Sequence, residues 1–425
     1  MRIDEIGENL HSWAMRRIFN HRPPFLRFGF AVIFTCQTFG VFAEDRTWTS
    51  TDGKTVTATI IALEGEEISL QSGDKVFKFP LTRLSPADQE FAAKWKADAE
   101  KEMAESASFL GDFRDLKPGV WPTDVAAEFE VDAIEVVKED EAAKLYIYRS
   151  PHFEFESPLR LSTSVVREFA RIFEASFEFA KIIPIGLNPQ PSTGGYYKTK
   201  LYQSKEDYYV DGGMQGSGGM HTYSYRGDEI LTSLIKVPLS NLGVEYTGTR
   251  YIVDHKKQSA VLVHEIGHQI TGRWLPVLPT WVKEGLAEFI SVQPYDNGRF
   301  RLTQLDRAIR DDVARMSGSD KEFQMIGVER LMKISGDEWA AELASGDGSI
   351  NYCSANVLFY YFLRLDGEGK SERLIDYLKA ISAGTPEETA RDEKLLAGRS
   401  FEELEQAVAE AWRGSGLRLT FTSAN

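Results

Sequence analysis

Residues 261–289 read VLVHEIGHQITGRWLPVLPTWVKEGLAEF and carry the strongest chemical pattern in this chain of 425 residues. His264, Glu265 and His268 follow the pattern H-E-x-x-H, and Glu284 follows 16 residues after His268. On an α-helix, positions i and i+4 lie on one face one turn apart, so both imidazoles can reach the same ion. The apolar flanks of the motif predict a buried helix, in which polar side chains need partners or a metal.

The residue types of this motif indicate zinc. Catalytic zinc sites use three protein ligands and keep a further position open for water. Glu284 is the predicted third ligand, because it follows a Pro-marked loop at the start of a second helix. Glu265 lies next to the first histidine, where it can accept a proton from water on the metal. We predict Asp254 as the cap of the first helix and Thr280 as the cap of the second.

The segments HEIGH and WVKEGLAEF resemble the gluzincin metallopeptidases, in particular their thermolysin-like and aminopeptidase N-like branches. The resemblance implies that the two histidines and the glutamate bind zinc and that Glu265 is the general base. It also implies that Glu288 orients one of the zinc-binding histidines, because such an imidazole usually donates its other N–H to a carboxylate or carbonyl. Lys283 stands where Asn is usual and the 16-residue gap is slightly short, so the resemblance is to the clan.

The segment that begins at Tyr352 also resembles a helix of the aminopeptidase N-like enzymes. Tyr352 lies 68 residues after Glu284, close to the distance in that family. The resemblance implies that its phenol donates a hydrogen bond to the oxyanion of peptide hydrolysis. A buried core tyrosine is the alternative, because Tyr360 and Tyr361 follow nearby. We find no Gly-x-Met-Glu-Asn motif, the amine anchor of those aminopeptidases, and this favours endopeptidase cleavage.

Residues 1–43 have the pattern of a secretory signal peptide, with several Arg before an apolar run and a small-residue site at Ala43. The run is shorter than the roughly 20 residues of a spanning helix, although an uncleaved anchor is the alternative. We therefore expect export to the periplasm, cell surface or medium, with no membrane span after cleavage. Cys353 then has no cysteine to pair with. The net charge of −15 argues against nucleic acid as a partner.

The length of the chain predicts two domains. The fold class is predicted to be α+β overall. Residues 44–96 alternate short strands with Gly-marked turns, which predicts a small five-stranded β-barrel. They resemble the SLA-homology type of SH3-like barrel, which implies a peptide or cell-envelope ligand, and a structural role is the alternative.

We expect residues 97–140 to be a linker with a poorly defined segment. Residues 141–290 are then the zincin catalytic subdomain, a mixed sheet plus the active-site helix, and residues 291–425 a helical lobe that completes the cleft.

Other features of residues 141–290 concern the cleft. Ile230 to Ile235 is predicted to be the sheet edge that holds an extended substrate. The Gly-rich residues 212–223 are predicted to be a mobile loop near it. His255 is rejected as a ligand, because nine residues before His264 is the opposite side of a helix. His221 is assigned to the loop, from which it could reach the cleft.

These features predict an exported zinc metallopeptidase that acts on peptide or protein substrates. One alternative is a non-catalytic binding protein that keeps the metal fold, and Glu265 argues against it, because a structural site has no use for a base. The other alternative is a zinc hydrolase for a different bond. Residue types do not distinguish it from a peptidase, since the same zinc–water chemistry serves both.

Overall fold

The structure, a computed structural model, describes residues 46–96 and 110–422 apart from short gaps at 65–66, 73–74, 215–216, 227–228, 259, 320 and 346–347. The predicted signal peptide, residues 97–109 of the predicted linker and the chain end lie outside the described residues. The chain divides into two compact units, whose described parts are residues 46–96 and 110–422. Helices and several sheets occur together, which confirms the α+β class. Across the described residues, no helix is both long and apolar enough to cross a bilayer.

The N-terminal unit is an open antiparallel sheet of four strands in the order β1-β2-β3-β4. The predicted five-stranded barrel is wrong, because β1 and β4 each pair with one strand only among the described residues. Pro80 ends β4 and has no N–H to donate, and the chain turns at Leu81–Arg83 before a single bridge between Ser50 and Leu84. The elements are β1 (Arg46–Thr49), β2 (Thr55–Glu64), β3 (Glu67–Ser72), β4 (Lys75–Pro80) and helix α1 (residues 86–96).

The second unit contains a mixed six-stranded sheet in the order β10-β11-β9-β8-β7-β6. Strands β11, β9 and β8 run parallel, and the outer pairs are antiparallel. The first half of the unit comprises β5 (Asp124–Ala126), β6 (Glu135–Asp140), β7 (Leu145–Arg149), β8 (Phe153–Ser157), α2 (Thr163–Ile182), β9 (Tyr197–Tyr202), α3 (Lys205–Val210), β10 (Met220–Arg226), β11 (Glu229–Pro238), β12 (Val244–Tyr246) and β13 (Tyr251–Val253).

The second half of this unit is mainly helical, as the sequence predicts. It comprises α4 (Ala260–Ile270), α5 (Thr280–Ser291), β14 (Tyr295–Asp296), β15 (Arg299–Arg301), α6 (Leu305–Ser317), β16 (Glu322–Met325), α7 (Val328–Lys333), α8 (Gly336–Ser345), α9 (Gly348–Tyr360), α10 (Glu372–Ser382), α11 (Glu387–Ala390), α12 (Phe401–Gly414) and β17 (Arg418–Phe421). Tyr361–Leu365 and Arg391–Leu396 continue α9 and α11 as π-helical turns.

The edge strands of the six-stranded sheet are β6 and β10, and β10 is the one that contacts α4. The prediction that Ile230 to Ile235 forms the edge is wrong at Leu234 and Ile235, which pair with β10 on one side and β9 on the other; residues 230–233 pair with β10 only. His221 is also in this edge strand and not in a loop. The strand escapes prediction because residues 212–223 are so rich in glycine that they look like a loop throughout.

Aromatic side chains join the sheet to α2, whose start is capped by Ser162. Phe155 of β8 lies nearly perpendicular to Phe169 and Phe173 of α2, with ring centroids 5.1 Å apart in both pairs. These rings are fully buried, so the aromatic run of α2 belongs to the core. Helix α4 packs between α2, the β10–β11 edge of the sheet and α5, and α9 packs against α5. The H-E-x-x-H segment is therefore held on several sides.

Candidate metal centre

Helix α4 carries both motif histidines, one turn apart and mostly buried. It begins at Ala260, so the predicted cap at Asp254 is wrong. The Asp254 side chain instead accepts from the Lys256 N–H and caps the preceding turn His255–Lys257. Helix α5 begins at Thr280 after Pro279, and no side chain caps it, so the predicted cap at Thr280 is also wrong.

Three donor atoms from these two helices converge. The Nε2 atoms of His264 and His268 are 3.1 Å apart, and Glu284 Oε2 is 3.3 Å from each of them. These residues form the one group of three or more His, Cys, Asp or Glu with metal-ligand spacing among the described residues. We call His264, His268 and Glu284 the donor triad. The structure thus brings together the three ligands that the sequence predicts.

The donor triad has the dimensions of a small tetrahedral metal site. Zinc binds imidazole nitrogen and carboxylate oxygen at about 2.0–2.2 Å, so two ligands at the tetrahedral angle lie about 3.4 Å apart. The three sides of the triangle are 3.1, 3.3 and 3.3 Å. Two imidazoles and one carboxylate are also a donor set that zinc accepts, with room left for a further ligand. The residues therefore fit a metal ion of this kind, although their geometry does not identify the element.

Charge in the site also favours a cation. Burial opposes ionisation of Glu284, but the charge of His268 and hydrogen bonds with both imidazoles outweigh it and lower its pKa. Burial likewise opposes ionisation of Glu288, and its hydrogen bond with His264 lowers its pKa. Burial opposes protonation of His264, but these two carboxylates raise its pKa well above the ordinary value. Two ionised carboxylates in a buried site need a positive charge close to them.

Glu288 contacts the far side of the donor triad. Its Oε2 atom lies 2.8 Å from His264 Nδ1, and the Ser291 hydroxyl donates to the same oxygen at 3.3 Å. The contact leaves His264 Nε2 directed at the other two donors. The equivalent atom of His268, Nδ1, is buried with no hydrogen-bond partner among the described residues.

The Glu265 carboxylate is held by the edge strand. The backbone N–H of His221 in β10 donates to Glu265 Oε2 at 2.7 Å. The imidazole of His221 contacts the Ser233 hydroxyl through Nε2 at 2.9 Å, and burial lowers its pKa to about 3. His221 is therefore a neutral residue beside Glu265. Sequence patterns do not predict this backbone contact, because it depends on strand pairing far from the motif.

Tyr352 lies in the first turns of α9, beside the donor triad. Its ring is nearly perpendicular to the His264 ring, with centroids 5.6 Å apart. Burial raises the pKa of Tyr352 well above the ordinary value, the carboxylates of Glu284, Glu265 and Glu288 add to this, and the indole N–H of Trp339 opposes it. The phenol therefore stays protonated and is able to donate a hydrogen bond.

The remaining sequence candidates lie elsewhere. His255 contacts Glu168 at 3.2 Å and is not part of the donor triad. His152 pairs with the buried carboxylate of Glu174 at 2.7 Å on the β7–β8 hairpin. Lys283 is directed to the Leu275 carbonyl at 3.4 Å, and burial lowers its pKa.

Comparison of the chain with protein-family models, with curated proteins and with solved structures gave no match. Functional inference therefore depends on the residues and on their geometry.

Proposed function

We propose that this chain is an exported, zinc-dependent metallopeptidase with a zincin-type catalytic domain. The observation that carries the proposal is the near-equilateral triangle of His264 Nε2, His268 Nε2 and Glu284 Oε2, with sides of 3.1–3.3 Å. An acid–base residue and a phenol flank this triangle, which a purely structural metal site does not need. The combination favours hydrolysis over binding alone.

A zinc ion held by the donor triad would polarise a peptide carbonyl and make an attacking water molecule more acidic. Glu265 accepts the proton of that water and then passes it to the leaving amine. Its Oε2 atom accepts the backbone N–H of His221 at 2.7 Å. One oxygen therefore fixes the orientation of the carboxylate, and the other is left to move the proton.

Tyr352 is the proposed donor to the oxyanion. Negative charge grows on the carbonyl oxygen as water attacks, and a fixed donor stabilises that charge more than it stabilises the substrate. The phenol belongs to α9 and lies beside the His264 member of the donor triad. Its raised pKa keeps the proton on the phenol oxygen.

Strand β10 is the proposed platform for the substrate. It has no strand neighbour on its outer side among the described residues, and it contacts Glu265 directly. An extended peptide can add to such an edge through backbone hydrogen bonds. This mode holds the interior of a peptide and favours endopeptidase cleavage of peptide or protein substrates.

The test is digestion of a diverse peptide library by the zinc-loaded chain and by Glu265→Gln. Gln has the shape of Glu and cannot act as a base, so kcat should fall at least about 10³-fold with zinc content unchanged. Mass spectrometry of the products reports the cut sites and distinguishes endopeptidase from exopeptidase cleavage.

Two results would overturn the proposal. If the wild type holds zinc and cleaves no peptide, the site serves binding or the hydrolysis of another bond. Equal cleavage by both proteins would mean that Glu265 is not the base.

A further inference from the structure

Helix α8 holds the first turns of α9 at two neighbouring residues. The ring of Trp339 lies nearly perpendicular to the Tyr352 ring, with centroids 5.6 Å apart. Three residues farther along α8, Glu342 Oε2 accepts a hydrogen bond of 2.7 Å from Asn351 Nδ2. Asn351 immediately precedes Tyr352, and its side chain is buried. Tyr352 is therefore tied to α8 through its own ring and through the residue before it.

The Tyr352 ring is enclosed by two aromatic rings. His264 and Trp339 both lie at a centroid distance of 5.6 Å from it, with interplanar angles of 87° and 86°. Perpendicular ring pairs of this kind have a preferred geometry and restrict rotation of the ring between them. The phenol is thereby held against the donor triad on one side and against α8 on the other.

The indole nitrogen of Trp339 has an unusual environment. Trp339 is 0% exposed, and its Nε1 atom has no hydrogen-bond partner among the described residues. Buried donors normally find an acceptor. The Tyr352 ring packs against this indole, with ring centroids 5.6 Å apart. A phenol oxygen that accepts from Trp339 keeps its own O–H as a donor.

We propose that Trp339 is a positioning residue for Tyr352: in the reacting enzyme its indole N–H donates to the phenol oxygen, so that the phenol O–H faces the oxyanion. This inference rests on the proposed function, because it assigns the task of Tyr352 in hydrolysis. Trp339 itself does not touch the reacting atoms. Its effect on the reaction passes through Tyr352 alone.

The test compares Trp339→Phe with Trp412→Phe as a matched control. Trp412 is also 0% exposed and also reaches α9, where its N–H donates to the Val357 carbonyl at 3.1 Å, away from Tyr352. Trp339→Phe should lower kcat about 10-fold and change KM less than about 2-fold, because a displaced catalytic donor chiefly affects the transition state. Trp412→Phe should retain wild-type kcat.

A double variant separates positioning from a general structural effect. In the Tyr352→Phe background, Trp339→Phe should lower kcat by less than about 2-fold, because the group that it positions is gone. Full additivity of the two changes would overturn the proposal. Zinc content, measured on every variant, should remain that of the wild type.

A second readout does not depend on activity. With 3-fluorotyrosine at position 352, Trp339→Phe should shift and broaden the fluorine resonance in both metal-free and zinc-loaded protein, and Trp412→Phe should not. An unchanged resonance would overturn the proposal. If the wild type cleaves no peptide, the proposed function fails, and the fluorine signal still decides whether Trp339 orients this ring.

Discussion

The two histidines of the donor triad differ at their second ring nitrogen. His264 Nδ1 contacts Glu288 at 2.8 Å, and the pair fixes both the orientation and the tautomer of that imidazole. His268 Nδ1 has no such partner among the described residues. His264 therefore contacts a carboxylate through each ring nitrogen, whereas His268 contacts one through Nε2 alone.

Glu288→Gln should weaken zinc binding about 10-fold or more, because groups that orient a metal ligand typically contribute 10–100-fold in affinity. Competition with a chelating dye measures the affinity. Glu174→Gln is the matched control, since Glu174 is also buried and also contacts a His Nδ1, at 2.7 Å from His152. Equal zinc affinity of Glu288→Gln and the wild type would contradict the assigned role.

Local spacing predicts some residues of the site, and tertiary contacts supply others that it does not predict. Spacing along one helix brings His264 and His268 together, because the i, i+4 geometry is local. The His221 N–H and the Trp339 ring come from a distant strand and a distant helix. No local pattern marks them, because their contacts arise only from tertiary packing.

Helix packing at the site depends on close approach of backbones. A Cβ built on Gly285 of α5 would lie 2.5 Å from the Ala355 carbonyl oxygen and 2.7 Å from Phe359 Cβ in α9. A Cβ on Gly267 of α4 would lie 3.1 Å from Ala287 Cα in α5. Glycine at these positions lets α4, α5 and α9 lie close enough for the donor triad and Tyr352 to meet.

Gly285→Ala should therefore destabilise the chain by about 1–3 kcal/mol, because overpacking forces backbone shifts. It should also weaken zinc binding, since Glu284 is the neighbouring residue. Gly414→Ala is the control: Gly414 also lies in a helix, with nothing within 4 Å of the added Cβ. Calorimetric melting measures stability, and an unchanged Tm for Gly285→Ala would contradict the packing argument.

Helices and most strands of the second unit follow their sequence periodicity, and errors concentrate where local signals conflict. The edge strand β10 follows a run of glycines, and the glycines predict a loop where the strand begins. The predicted cap of α4 is wrong because Asp254 caps a short turn that precedes the helix. Both failures reflect a strong local signal that tertiary pairing or a nearby turn overrides.

At the scale of the whole molecule, alternating and helical sequence patterns predict a chain with both helices and sheets, and the structure agrees. The closed N-terminal barrel was wrong, because strand count and closure depend on how the last segment pairs. Alternation along a strand reports which side chains share a face, and it does not report whether a sheet closes.

The most direct test is zinc K-edge X-ray absorption of the purified chain loaded with one equivalent of zinc. The account predicts one tightly bound ion with only nitrogen and oxygen ligands at about 2.0–2.2 Å, and scattering from two imidazoles. Loss of zinc on gel filtration, a sulfur ligand, or scattering from fewer than two imidazoles would contradict the donor triad of His264, His268 and Glu284.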